Sequence, residues 1–348
     1  MKKICVGVTG LGVSDRPMSG LGIAKSLRLN KDIRLIGLTY DTISSGCYSG
    51  DVFDEIHLVG NPLQDVQKFF EDIVRLKEKH GLQVLIPSVQ WEIPVCSTLK
   101  DKIKRKKIDI LIPESNNLAN VFDPRVAYFA SSRYMRIPAY TFIHDRRGLT
   151  GKLSSLRFPI IIRDIAENYV AYDTAEAEVF ALSHFRYGDS PLCIQEYVNG
   201  EEYSVAALAD RNSKLTGIVI VKKLVMTGQG IPWIVVSVWD KELVTFTEKL
   251  IQHLNWVGPL ELRFIKEIFT NHYTFIKFEP CFPSWVYFAT RVGQNLPLKA
   301  VKLAMGKTVK ASTAYNPGYM YVRSAEDIIC DIHVLFALTA SRRLIYRG

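Results

Sequence analysis

The chain has 348 residues, of which 48% are hydrophobic and 23% charged, so it holds enough apolar material for a core divided over two or three units. The formal net charge of +9 suits an anionic ligand, but solvated helical segments such as 100–107 account for much of it, and we expect no nucleic acid as partner. No signal-peptide pattern or apolar run of about eighteen residues occurs, which excludes a membrane span, and six scattered cysteines fit reduced thiols in the cytoplasm.

The first part of the chain alternates β-type apolar runs with amphipathic segments, which is the pattern of parallel βαβ units. The richness of its strands in β-branched residues predicts a sheet that is covered on both faces. We predict strands at 3–8, 33–40, 55–59, 83–89 and 108–113, and helices at 22–29, 63–80 and 93–106.

A second region begins after Pro113 with a predicted helix at 125–135, which Pro138 ends. A compact β-β-α-β group follows, small enough to be a lid, with strands at 158–163, 169–172 and 192–197 and a helix at 175–185. From residue 202 the chain is strand-rich again, with strands at 203–209, 215–224, 234–238, 260–266, 273–278 and 319–322 and helices at 241–254, 297–305 and 325–339.

The run 193–205, Cys-Ile-Gln-Glu-Tyr-Val-Asn-Gly-Glu-Glu-Tyr-Ser-Val, joins the lid to the strand-rich region. With this run, the order of elements over about residues 1–306 resembles the ATP-grasp superfamily, particularly its carbamoyl-phosphate-synthase-like and biotin-carboxylase-like branch. The resemblance implies an α/β ATP-grasp fold with five parts: a Rossmann-like βαβ pre-ATP-grasp domain (1–113), a helical linker (114–141), a β-β-α-β lid (142–198), a mixed α+β core (199–306) and a carboxy-terminal extension (307–348).

The resemblance also implies a set of ATP-binding positions. Glu196 and the backbone of Val198 match the positions that face adenine, and Glu202 matches the carboxylate that bonds the ribose. Arg125 and Arg163 stand where the family has lysines, and arginine keeps the charge without replacing the compact ammonium group. Each position also has an ordinary structural explanation, because carboxylates and arginines are common at exposed ends of strands and helices.

The segment 164–169 departs from the pattern of the family, which has glycines there. Only glycine lets successive backbone N–H groups close over a triphosphate, and here Asp164 and Glu167 stand near the expected phosphate. We therefore expect no closed phosphate-gripping flap.

The family's metal-binding strands depart more strongly. At positions that match an acidic or amide ligand and a Glu-x-Asn-Pro-Arg run, this chain has Arg263, Lys277, Glu279 and Cys281. Side chains alternate along a strand, so Glu261 shares a face with Arg263, and Lys277 shares one with Glu279. Repulsion between a divalent ion and a unit charge about 4 Å away is on the order of 2 kcal/mol even in water. We expect Mg²⁺, which prefers oxygen ligands, to be absent or weakly bound.

Two functional hypotheses follow from this inversion of charge. The protein is a degenerate, catalytically silent ATP-grasp member that binds a nucleotide, another anion or an active ligase partner, as a homo- or hetero-oligomer. Alternatively it is an active ATP-dependent carboxylate-amine ligase that forms an acyl phosphate, with Glu261 and Glu279 sharing the metal. In the silent protein, Arg263 and Lys277 either form an internal ion-pair lattice with these two carboxylates or hold an anion directly.

A third hypothesis is a dinucleotide-binding oxidoreductase. Gly7, Gly10 and Gly12 beside the first strand, with Asp41 at the end of the second, form a loose version of the dinucleotide fingerprint. A glycine-rich turn without a ligand explains the same residues.

Overall fold

The computed structural model describes residues 3–12, 17–122, 124–144, 149–154, 156–163, 168–187, 191–227, 230–325 and 327–346. Contacts within the chain divide it into two units. The first unit comprises Met1–Ala130, Glu202–Arg263 and Lys277–Gly348, and the second comprises Ser131–Glu201 and Phe264–Ile276.

The described residues form strands and helices that alternate in the first third of the chain. The strands are β1 (Ile4–Val8), β2 (Ile33–Thr39), β3 (Glu55–Leu58), β4 (Val84–Ile86), β5 (Asp109–Ile110), β6 (Tyr140–Ile143), β7 (Ile160–Arg163), β8 (Asn168–Ala171), β9 (Leu192–Glu196), β10 (Gly200–Ala209), β11 (Leu215–Met226), β12 (Pro232–Val238), β13 (Gly258–Glu267), β14 (Tyr273–Glu279), β15 (Met320–Val322) and β16 (Arg343–Ile345). The α-helices are α1 (Gly20–Arg28), α2 (Val66–His80), α3 (Ile93–Arg105), α4 (Ser115–Phe122), α5 (Pro124–Ser132), α6 (Leu149–Ser154), α7 (Thr174–Tyr187), α8 (Lys241–His253), α9 (Val286–Arg291), α10 (Leu296–Ala304) and α11 (Ile332–Ser341).

The amino-terminal sheet has the order β16-β3-β2-β1-β4-β5, and the pairs among β1 to β5 are parallel. Alternate residues of β2 enter two different hydrophobic clusters, with Leu35 in one and Ile36 in the other. The prediction of a parallel sheet covered on both faces is confirmed. The sequence did not predict β16, which pairs antiparallel with β3 and returns the end of the chain to this sheet.

The predicted β-β-α-β group contains one more strand than expected. The sheet has the order β6-β9-β7-β8, and each described pair is antiparallel. Its apolar side chains pack with those of α7, and ten residues are buried there: Ile143, Leu153, Ile160, Ile162, Ala171, Ala177, Ala181, Phe185, Leu192 and Ile194.

The third sheet has the order β14-β13-β10-β11-β12-β15. β10, β11 and β12 pair antiparallel in sequence, and a tight turn at 210–214 joins the first two. Gly200 begins β10 at the end of the run that resembles the ATP-grasp hinge. A Cβ atom there would lie 2.2 Å from the carbonyl oxygen of Lys266, so only glycine fits.

Capping residues set several helix ends. Asp65 accepts a hydrogen bond from the backbone N–H of Lys68 at the start of α2, and Gly81, with φ of 71°, follows its end. Asp331 caps α11 in the same way, so this helix begins at Ile332 and not at the predicted residue 325. Among the helices that the structure describes, none has the length and apolar character to cross a bilayer.

Candidate functional site

Four of the predicted metal-site residues form a connected set of ion pairs on β13 and β14. Arg263 lies 3.0 Å from Glu279 and 3.7 Å from Glu261, and Lys277 lies 3.0 Å from the same oxygen of Glu279. Glu261 is buried, whereas the side chains of Arg263 and Lys277 are 31% and 38% exposed. Of the two arrangements considered for Arg263 and Lys277, the structure contains the internal ion-pair lattice.

A second ion pair, on β10 and β11, lies beside this lattice. Lys223, whose side chain is fully buried, donates a 2.9 Å hydrogen bond to Glu202, and Ser204 donates one to Glu261. Glu202 also interacts electrostatically with Arg263, and Lys223 with Glu279. Three carboxylates and three cations, whose formal charges cancel, therefore make up one group: Glu202, Glu261, Glu279, Lys223, Arg263 and Lys277. We call these six residues the charge network.

The pKa values follow from this arrangement. Burial alone would raise the pKa of Glu279, but the charges of Arg263 and Lys277 outweigh it and hold that pKa well below its usual range. Burial and the neighbouring carboxylates, first among them Glu279, raise the pKa of Cys281 far above its usual value. Cys281 is thus a buried neutral thiol, with none of the reactivity of a thiolate.

Two of the predicted nucleotide-binding residues belong to the first unit. Arg125 is exposed near the start of α5, and Glu202 is the acceptor of the hydrogen bond from Lys223. The predicted ribose carboxylate is therefore already part of the charge network.

The other three belong to the second unit. Glu196, at the end of β9, accepts hydrogen bonds from Arg136 (3.3 Å) and from the backbone N–H of Ala139 (3.1 Å). Arg163 pairs with Cys193 in the register of β7 and β9, three residues away from Glu196, or about 10 Å along the strand. The structure thus does not bring Arg163 and Glu196 together. Val198 is buried just beyond β9.

The glycines proposed as a dinucleotide fingerprint do not form one. Gly7 lies inside β1 against Leu82, and α1 begins only at Gly20, far from the first glycine. The carboxylate of Asp41 accepts hydrogen bonds from Ser44 and the backbone N–H of Ile43, within its own loop. The geometry does not support a dinucleotide-binding function, because the fingerprint needs its glycine turn to open directly into a helix.

A carboxylate of the chain itself occupies the point where ligands usually bind an open parallel sheet, between the carboxyl ends of β1 and β4. Glu92 is fully buried there and accepts hydrogen bonds from Thr9, Tyr40 and the backbone N–H groups of Ser88 (2.6 Å) and Val89 (2.8 Å). Burial raises its pKa, and the four donors oppose that effect. The side chain of Glu92 and its hydrogen-bond donors therefore fill this crevice.

The sequence matches no protein-family model and no curated protein. Solved structures do match. The biotin carboxylase domain of 2-oxoglutarate carboxylase from Hydrogenobacter thermophilus is 13% identical, with a TM-score of 0.66 over 90% of this chain and 72% of that one. N5-carboxyaminoimidazole synthetase from Staphylococcus aureus is 14% identical (TM-score 0.67; 90% and 81%), and L-amino acid ligase from Bacillus licheniformis is 10% identical (TM-score 0.67; 92% and 78%).

This chain has the ATP-grasp fold. The likeness extends over nine tenths of its length. At such low identity the comparison establishes the ATP-grasp fold alone.

The charge network does not fit the Mg²⁺ that ATP-grasp enzymes use. A magnesium site needs oxygen donors whose charge is not already neutralised. Here Glu279 is shared by two cations, each 3.0 Å away, and a divalent ion would have to displace both. The segment 164–167, expected to replace the glycine flap of ATP-grasp lids, lies outside the described residues.

Sequence reasoning missed three partners of the predicted residues: Lys223, Ser204 and Arg136. The register of β10 and β11 pairs Tyr203 with Lys222, which puts Lys223 opposite Glu202. Counting outward from the turn at 210–214 would have placed Lys222 opposite Glu202, because an irregularity between Leu208 and Ala209 shifts the register by one residue. No local signal marks Arg136, which reaches Glu196 from a segment sixty residues earlier.

Proposed function

We propose that this ATP-grasp-fold protein is a catalytically silent member of its superfamily that binds a nucleotide or another anion without magnesium. One observation carries the proposal: Glu279 is paired at 3.0 Å with both Arg263 and Lys277. Fixed cations at the matching positions of the metal ligands leave no place for the metal ion that neutralises the charge of the phosphate oxygens during phosphoryl transfer.

The balance of charges supports the same conclusion. Because the three carboxylates of the charge network are matched by three cations, a divalent ion gains little attraction on entering and meets the repulsion of Arg263 and Lys277. An anion meets cations first, since the side chains of Arg263 and Lys277 are 31% and 38% exposed, whereas those of Glu261 and Glu279 are only 5% and 14% exposed. A nucleotide phosphate is therefore a better match for this surface than a metal ion.

We assign the nucleotide contacts to the positions that resemble those of the family: Arg125, Arg163, Glu196, Val198 and Glu202. An active ATP-grasp protein is the expected partner of a silent one. The six free thiols, five of them buried, suit a reducing compartment such as the cytoplasm.

The second candidate function is an active ATP-dependent carboxylate-amine ligase, and one observation favours it. Glu261 and Glu279 both contact Arg263, so their carboxylates converge on one point where a rearranged side chain would leave two oxygen ligands. The L-amino acid ligase that shares the fold makes an amino-acid ligation a reasonable first activity to test. The reaction would form an acyl phosphate, which an amine then attacks.

Calorimetric titration with ATP and ADP, in MgCl₂ and in EDTA, separates the two functions. The silent-protein proposal predicts binding of equal strength in both buffers. Phosphate release, measured with ATP and a panel of amino acids and short peptides, should stay at the level of a protein-free control. Binding that requires Mg²⁺, or turnover at an ordinary enzymatic rate, would contradict the proposal and support the ligase.

The assignment of Glu202 can be tested in the same titration. Glu202→Gln should weaken ATP binding through loss of the ribose acceptor, whereas inorganic pyrophosphate should bind at least as tightly, because the substitution also leaves the charge of Lys223 without its partner. Glu242→Gln, an exposed carboxylate in the first turn of α8, is the matched control and should leave both affinities unchanged.

A further inference from the structure

The helix α11 is mostly apolar yet poorly covered. It has ten residues, no Asp, Glu, Lys or Arg among them, and only Leu338 is buried. Ile332 and Phe336, 54% and 57% exposed, are four residues apart and therefore share one face. Ile329, which precedes the helix, is 97% exposed, and no residue in the described part of the chain covers it.

The charges at the two ends of α11 suggest what covers this face. Asp331, whose side chain is 69% exposed and lies 2.6 Å from the ring of His333, begins the helix. Arg342, whose side chain is 42% exposed, follows its end, donates a 3.1 Å hydrogen bond to the carbonyl of Leu58 and lies 3.6 Å from Asp72. An antiparallel α11 from a second copy would set Asp331 against Arg342 of the partner subunit at both ends. It would also oppose the two helix dipoles.

The same charges disfavour binding of this surface to a membrane. Asp327 and Asp331 border the exposed isoleucines, and their carboxylates repel the anionic headgroups that attract peripheral proteins. A neutral apolar helix face with an acidic end and a basic end is complementary to itself.

The size of the surface is adequate for a stable dimer. Four large apolar side chains are about half exposed or more: Ile328, Ile329, Ile332 and Phe336. At roughly 100 Å² each they supply about 400 Å² of apolar surface, half of the roughly 800 Å² per partner of a standard interface, and the exposed polar residues His333 and Thr339 lie on the same helix.

We propose that α11, with the preceding Ile328 and Ile329, is the two-fold interface of a homodimer in which α11 packs antiparallel on its symmetry mate. Phe336 and Ile332 form the apolar centre, and Asp331 with Arg342 of the partner subunit forms the rim. The proposal does not depend on nucleotide binding.

Sedimentation velocity of the full chain at micromolar concentration tests the interface. The wild-type protein should sediment as a species with twice the chain mass of 39.5 kDa. Phe336→Glu and Ile332→Glu should raise the dimer dissociation constant at least tenfold without changing the circular dichroism spectrum, because both positions are exposed. Phe269→Glu, at a 93% exposed position outside this surface, is the control and should remain dimeric. A monomeric wild type, or dimeric glutamate variants, would overturn the proposal.

A disulfide tests the antiparallel geometry. In a Cys330→Ser background, Phe336→Cys places a thiol near the middle of α11, where two copies approach each other at the two-fold axis. Oxidised glutathione should then join the two subunits covalently. A dimer that forms no such cross-link uses another surface. Asp331→Asn, which keeps the oxygen that caps α11, should weaken the dimer by several fold through loss of charge alone.

Discussion

Arg263 is the residue on which the charge network depends. Its guanidinium lies between two carboxylates, Glu261 at 3.7 Å and Glu279 at 3.0 Å, whose side chains are mostly buried. Removing one partner from such a group lowers the free energy of unfolding by more than the intact ion pair contributes to it, because the charge left behind cannot be hydrated.

We expect Arg263→Met to lower the free energy of unfolding by about 3 kcal/mol, since two buried carboxylates lose their shared partner. Lys277→Met is the matched control. Its ammonium is 38% exposed and water can replace part of the contact, so the loss should stay below about 1 kcal/mol. Urea unfolding followed by fluorescence measures both. Equal losses would show that Arg263 has no special position in the network.

Restoring oxygen ligands should restore a response to magnesium. In the double variant Arg263→Gln, Lys277→Glu, both cations near Glu279 are gone and a surplus of carboxylates remains, so Mg²⁺ should raise the melting temperature by several degrees. The wild-type protein should show no difference between MgCl₂ and NaCl of equal ionic strength. A magnesium-induced shift in the wild type would contradict the proposed function.

At the residue scale, the sequence identified members of the charge network more reliably than it identified the contacts between them. Alternation along β13 and β14 was enough to put Arg263 with Glu261 and Lys277 with Glu279. Lys223 was missed because a lysine inside an apolar run gives no local signal of burial. Its role appears only once the register of two strands is known.

A buried carboxylate ties the element β16 to β3. Glu55 is held by Arg343 of β16 at 2.8 Å, by Arg34, and by His57 at 3.0 Å. His80 lies 3.2 Å from the same oxygen of Glu55. These three ligand-type side chains, Glu55, His57 and His80, are close enough for a metal ion, but the two arginines repel one as Arg263 and Lys277 do.

The cluster should make the stability of the protein depend on pH. Burial lowers the pKa of His57 to about 4, although its hydrogen bond to Glu55 opposes this. In the unfolded chain the pKa is near 6.5, so between pH 6.5 and 4 the unfolded state binds a proton that the folded state does not. The free energy of unfolding should therefore fall by roughly 3 kcal/mol as the pH drops through this range.

Below about pH 4.5 Glu55 adds to the loss of stability. Hydrogen bonds from His57 and Arg34 outweigh burial and hold its pKa at about 2, so the unfolded chain takes up a proton at a higher pH than the folded protein does. Denaturant unfolding at half-unit steps from pH 7.5 to 4 measures the effect. His57→Gln should flatten the profile between pH 6.5 and 4.5, whereas His253→Gln, at the exposed end of α8, should leave it unchanged. An identical slope in wild type and His57→Gln would exclude His57 as the cause.

The elements themselves were predicted in proportion to their length and periodicity. Long amphipathic segments such as α2 were found within a few residues. Strands of three or four residues were found in some places, such as β3 and β15, and missed in others, such as β6 and β16, because so short a run carries too little pattern to decide. The start of α11 was placed too early because the capping role of Asp331 was not recognised.

At the scale of the molecule, the order of βαβ units, lid and mixed sheet was enough to predict the ATP-grasp fold, whereas the return of β16 to the first sheet was not foreseen. That return follows from a pairing between residues almost three hundred positions apart, and no local pattern reports it. The division of the sequence into five parts stays a prediction.

The two units differ in how much apolar surface each sheet buries, and their local stabilities should differ accordingly. The amino-terminal sheet is covered on both faces by separate clusters, while the β6-β9-β7-β8 sheet rests on a cluster of ten residues, three of them alanines. A smaller core opens at a lower free energy. Backbone amides of β7 and β9 should therefore exchange with deuterium at least tenfold faster than those of β1 and β2, as measured by mass spectrometry of peptic fragments.

Phe185→Ala, which removes a large side chain from the ten-residue cluster, should speed exchange in β7 and β9 further and leave β1 and β2 unchanged. Phe69→Ala, in a cluster of the amino-terminal sheet, is the reciprocal control and should affect β1 and β2. If either substitution accelerates exchange equally in all four strands, the molecule opens as one cooperative body, and the difference in core size has no consequence for its local stability.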